Sequence, residues 1–108
     1  MKLQPILYVT DMDAATAWYS QLLRTDPTVR GSHWTSFDVA GGYLALHQTD
    51  HLDSGGPVEL SLVCDGALED VVERVGFTGP IIDEAFGRSI RLVDPTGIAV
   101  QVNEHSEL

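Results

Sequence analysis

The chain has 108 residues, 44% of them hydrophobic, and sets 16 Asp and Glu against 6 Lys and Arg for a formal charge of -10. That length fits one globular domain (1–108) and leaves no room for an independent second one. The charge repels phosphate backbones and anionic lipid surfaces, so neither nucleic acid nor a membrane is an expected partner. It suits solubility first, and an acidic pocket for cationic ligands second.

No apolar run approaches the roughly 20 residues of a bilayer crossing, and MKLQPILYVTD passes directly into a strand-like pattern unlike a signal peptide. A cytoplasmic location is therefore expected. Cys64 is the only cysteine, so an internal disulfide and a thiolate metal cluster are both excluded. Its place in LSLVC predicts a buried bystander.

In chain order, Leu3 to Val9 reads as a strand that stops at Asp11, a suitable helix cap. A helix follows over Asp13 to Leu23, with Ala15, Trp18, Tyr19, Leu22 and Leu23 as its inward face and Thr16 among the residues between them. This spacing predicts that Trp18 and Tyr19 belong to the core. Pro27 and Gly31 break the next segment; His33 to Val39 and Tyr43 to Gln48 read as strands around a turn at Gly41-Gly42.

The polar stretch Thr49 to Gly56 reads as a linker. Beyond it the order recurs. A strand from Val58 to Cys64 leads to Asp65 as a cap and to a helix over Ala67 to Val75 with Leu68, Val71, Val72 and Val75 inward. Strands near Pro80 to Ile82, Ser89 to Val93 and Ile98 to Val102 complete the half. Asp11 and Asp65 lie 54 residues apart, as do His47 and Gln101, which points to duplication. The modules span about 1–54 and 55–108. Halves this small must pack on each other or on a second chain, and the exposed sheet edges expected of eight strands favour a homodimer.

Two stretches, ILYVTDMDAATAWYSQLL and FGRSIRLVDPTGIAVQVNE, resemble the vicinal oxygen chelate superfamily, the glyoxalase/bleomycin resistance/dioxygenase type. The similarity covers essentially the whole chain, and the Asp94-Pro95-Thr96-Gly97 turn is its stronger trace. The resemblance implies an α+β fold, two βαβββ modules forming a curved mixed sheet around a cleft, with helices on the outer face.

Strand alternation places candidate pocket residues within that frame. Tyr8, Trp34, Ser36, Asp38, His47, Glu59, Arg91 and Gln101 fall on the cleft side, opposite Leu44, Leu46, Leu60, Leu62, Ile98, Val100 and Val102. In catalytic relatives the first, fourth, fifth and eighth strands each contribute a metal ligand, and those slots read Gln4, His47, Glu59 and Gln101 here. Two neutral amides make a poor set for a divalent ion, so no cofactor is expected. His33, His51 and His105 form no ligand spacing, there is no Gly-rich phosphate loop, and the serines lack a nucleophile elbow.

Three functions remain. The leading expectation is a metal-independent binder that sequesters or recognises an aromatic or cationic small molecule. The alternative is a lyase, isomerase or dioxygenase that uses a divalent metal. The third is a dimerisation or regulatory module whose cleft binds nothing specific.

Overall fold

The computed structural model describes residues 1–50, 58–95 and 97–106, so His51 and most of the expected linker lie outside the described residues. Within them the chain is α+β: eight strands and two helices. Two contact units divide it, one from Gln4 to Glu59 and one that joins Met1–Leu3 to Leu60–Leu108. The short N-terminal strand therefore counts with the second module.

The expected first strand is two strands, β1 (Lys2–Leu3) and β2 (Ile6–Val9), separated at Gln4 and Pro5, where proline provides no ladder N–H. In the first module β2 leads to α1 (Met12–Leu23), capped as expected by Asp11, whose Oδ1 accepts the Ala14 N–H at 3.0 Å. Next come β3 (Trp34–Val39), whose Ser36 forms an isolated bridge with Val29, and β4 (Gly42–Gln48). β4 lies between β3, antiparallel to it, and β2, parallel to it. The β3–β4 turn is Ala40-Gly41 rather than Gly41-Gly42. Both central residues have positive φ, 51° and 80°, the type I′ geometry that matches strand twist.

The first core sets Met12, Ala15, Tyr19 and Leu23 of α1 against Leu7, Val9, Phe37, Val39, Leu44 and Leu46. Trp18 and Leu22, expected inside, are 57% and 60% exposed, while Thr16 is buried. At 100° per residue, Met12, Thr16, Tyr19 and Leu23 share one narrow face, and Trp18 and Leu22 sit about a quarter-turn away from it. An apolar stripe wider than the groove beneath it leaves its flank in solvent.

The second module begins in β5 (Val58–Val63) and continues through α2 (Leu68–Val75), β6 (Ile82–Glu84), β7 (Gly87–Val93) and β8 (Ala99–His105). β5 runs parallel to β8, β8 antiparallel to β7, and β7 antiparallel to β6. Leu68, Val71, Ile90 and Val102 form its core, with Phe77, Leu92 and Val100 packed against them.

Several boundaries differ from expectation. β6 starts after Pro80-Ile81, which fits the missing proline donor. Val75 ends its helix 54% exposed. Ile98 precedes β8 and is 56% exposed, and Leu60 is 38% exposed. Asp65 does not cap α2. Its carboxylate pairs with the terminal amine of Met1, while the residue at the cap position, Ala67, offers no side-chain bond. The Leu68 N–H instead donates to Glu104 Oε2 at 2.8 Å, so the last strand caps this helix. Cys64 is half-buried rather than enclosed; burial raises its thiol pKa, and its Sγ donates to the Gly66 carbonyl.

Candidate functional site

The register of the first module decides which side chains meet. Tyr8 and Trp34 are both Cα partners of His47, on either side of β4, and Glu59 is the partner of Ile6. Since Leu7, Leu44 and Leu46 face α1, these residues occupy the other side of the sheet. The His47 ring lies 5.3 Å from the Tyr8 ring, tilted 54°, and 6.1 Å from the Trp34 ring, edge-on at 81°. The Tyr8 hydroxyl donates to Glu59 Oε2 at 3.0 Å. Trp34, Tyr8 and Glu59 are half-buried and His47 is exposed.

Three rings in edge and tilted contact with a carboxylate at one side can do one thing well. They offer π faces for a planar ligand and a negative charge for its cation. The Tyr8 hydrogen bond ties its own ring to the Glu59 carboxylate.

The other expected positions fall elsewhere. Ser36 is on the same side of the sheet but 6% exposed, beside its partner Ala45. Asp38 stands four residues beyond Trp34, about 13 Å along the strand, where it accepts a 3.4 Å bond from the Thr28 hydroxyl. Gln4 is buried between β1 and β2. In the second module Arg91 and Gln101 are cross-strand partners. Gln101 Nε2 donates to Asn103 Oδ1 at 2.8 Å, and Arg91 donates to Ser89 Oγ at 2.8 Å and to Glu84 Oε1 at 3.3 Å. Glu84, which also accepts from Ser89 at 3.1 Å, carries no sequence signal. Only pairing β6 with β7 brings it to Arg91.

The four slots of the metal-binding pattern hold one imidazole, one carboxylate and two neutral amides, a weak donor set for a divalent ion. The first module provides one imidazole and one carboxylate, with Glu59 already bonded to Tyr8, and its third slot is a buried neutral amide. In the second module Gln101 is engaged by Asn103. Among the described residues no three His, Cys, Asp or Glu side chains gather in a metal-holding group.

The second module carries its own ion-pair network. Arg88 binds Glu69 through two 2.7 Å bonds and Glu104 through two 2.8 Å bonds. Arg88 lowers Glu69 to about 2 and, with the Leu68 N–H, holds Glu104 below the usual carboxylate range; the guanidinium is raised in return. This network joins α2 to the β7–β8 pair and has a structural role.

No protein-family model matches the sequence, and no curated protein is significantly similar to it. Solved structures do match over nearly the full length. A glyoxalase/bleomycin resistance protein/dioxygenase superfamily member from Vibrio splendidus 12B01 aligns with TM-score 0.68 and 13% identity over 95% of this chain and 97% of that one. Methylmalonyl-CoA epimerase from Mycobacterium tuberculosis aligns with TM-score 0.72 and 14% identity over 98% and 89%. A Legionella pneumophila protein described as an NAD-dependent benzaldehyde dehydrogenase gives TM-score 0.71 and 18% identity over 96% and 99%.

The repeated strand-helix-strand modules and these likenesses define an α+β fold shared with solved proteins described as glyoxalase/bleomycin resistance/dioxygenase superfamily members. The chain has the vicinal oxygen chelate fold. Two of these neighbours are described as different enzymes, and at these identities the likeness establishes the fold alone.

Proposed function

We propose that this protein binds a planar, positively charged small molecule on the sheet face of Tyr8, Trp34, His47 and Glu59, and that it sequesters or recognises that molecule without a metal ion. The observation that carries the proposal is the ring cluster itself: Tyr8 and Trp34 flank His47, and a Tyr8-bonded carboxylate closes one side. Stacking supplies affinity, Glu59 selects the cation, and the charge of -10 draws it in. The donor set favours this binder over the metal enzyme, because His47 and Glu59 have no third strong ligand with them among the described residues.

The exposure of Trp18 makes the test direct. Trp18→Phe keeps an aromatic ring against Tyr19, whose ring it meets edge-on at 4.9 Å, and makes Trp34 the single indole reporter. Titration of that variant with a panel of planar cations should quench Trp34. Trp34→Ala should weaken binding by about 1–3 kcal/mol, and added salt should weaken it further. Binding that ignores both salt and the loss of Trp34 would remove the site.

The working unit we propose is a homodimer in the cytosol, where a lone thiol such as Cys64 stays reduced. Trp18 and Leu22 provide exposed apolar surface for it. Light scattering at micromolar concentration should report twice the chain mass, and a monomer would reject the dimer.

A further inference from the structure

Helix α2 has 8 residues, about 12 Å, whereas β7 beneath it has 7, about 23 Å. The helix starts over the Arg88–Glu104 end of the β7–β8 pair, where Glu104 caps it. It ends at Val75 and the Gly76 cap, which line one pocket with Leu92 and its partner Val100. By contrast α1 has 12 residues, about 18 Å, over strands of 6 and 7.

What the short helix leaves uncovered is a pocket of about 650 Å³. Phe77, Leu92 and Val100 form its floor as the outer layer of the second core, and Val75 and Val93, 54% and 72% exposed, stand at its rim. Ligand pockets fall in about this size range and have mostly apolar walls with a few polar groups.

One charged side chain stands in its described lining. Asp94 is the ionisable side chain of the lining; it accepts the Ile98 N–H at 2.9 Å, and this fixes its carboxylate at the strand end. The C-terminal end of α2 adds the negative pole of a helix. Arg74, the basic residue of that last turn, lines a different, smaller cavity with Cys64, Asp65 and Asp70.

We propose that the second module carries a binding site of its own here, an apolar pocket for a small amphipathic amine whose hydrocarbon or aryl part lies on Phe77, Leu92 and Val100 and whose ammonium group sits beside Asp94. This site involves none of the residues assigned to ligand binding in the first module, so it stands whether or not that proposal does.

The probe is 2-phenylethylammonium, compared with 2-phenylethanol and 3-phenylpropionate, by two-dimensional NMR on the full chain. The amine should shift the amides of Val75 to Thr78 and of Leu92 to Asp94, and should bind more tightly than the alcohol and the acid. Asp94→Asn keeps an oxygen for the Ile98 N–H and removes the charge. It should weaken the amine about three- to fivefold, the range of a partly exposed ion pair, and leave the alcohol unchanged. Val93→Lys, at an exposed position, should weaken the amine without unfolding the chain, whereas Trp34→Ala should leave these shifts intact. Three results would overturn the site: shifts confined to Tyr8, Trp34, His47 and Glu59; an acid or alcohol that binds as well as the amine; or concentration-dependent broadening at Val75 and Val93 that shows a second copy in the pocket.

Discussion

Replacing Glu104 tests how the second module is held together. Its Oε2 accepts both the Leu68 N–H and Arg88 Nη2, and its Oε1 accepts Arg88 Nε, all at 2.8 Å. Glu104→Ala removes the side-chain cap of an 8-residue helix that has none of its own, which costs about 1 kcal/mol for a typical cap. Loss of a partly exposed ion pair and of an anion at a helix N-terminus adds about 0.5–1.5 kcal/mol more. A total of about 1.5–2.5 kcal/mol should lower Tm by roughly 6–15 °C in a domain of this size. Glu104→Gln retains an oxygen for Leu68 and forfeits the charge, so it should cost about half as much. Thermal unfolding of both variants measures the totals, and amide exchange at Val71 to Val75 localises them, since so short a helix is not stable without its anchor. Equal losses for Ala and Gln, or an Ala variant within about 0.5 kcal/mol of the parent, would refute the capping argument.

The same carboxylates predict acid sensitivity. Glu69 at about 2 and Glu104 below its ordinary value both have folded pKa values depressed relative to the unfolded chain, so their contribution is present above about pH 4.5 and is lost as pH falls toward 2. Denaturant midpoints between pH 6 and pH 2.5 should fall along that window, and Arg88→Met should flatten the slope; an unchanged slope would assign it to other groups. Chelator should shift Tm by less than about 2 °C, because a donor set with two neutral amides contributes little metal-binding energy to the native state. A larger drop that a divalent ion reverses would restore the metal enzyme.

The order of elements was legible because strand alternation and helix spacing are local. Leu44 and Leu46 alternate with Ala45 and His47, and that parity alone put His47 on the same side as Trp34, as the register confirms. The placement of Tyr8 on the same side of the sheet as Trp34 was readable for the same reason. Its hydrogen bond to Glu59 was not, because it joins residues 51 apart in the chain. Capping failed at Asp65 for a related cause. An Asp before an apolar helix is a local signal, but the N–H it would have capped is taken by Glu104, 36 residues later. Trp18 misled in another way: an apolar stripe gives a helix a face, while the width of the groove under it decides how much of that face is covered.

The two modules share an order of elements and differ in how their helices are held, and this difference bears on what each can bind. In the first, α1 carries its own cap in Asp11 and closes its core along 12 residues, so aromatic side chains meet on the sheet face turned away from it. In the second, α2 depends on Glu104 at one end and stops at Gly76 at the other, where φ of 69° turns the chain away while Leu92 and Val100 still have an uncovered side. A helix one turn longer would cover that floor and remove the pocket, at the expense of the αL turn at Gly76. The short helix thus explains together why Val75 and Val93 remain exposed and why the core ends in a pocket, beside the aspartate that accepts the Ile98 N–H.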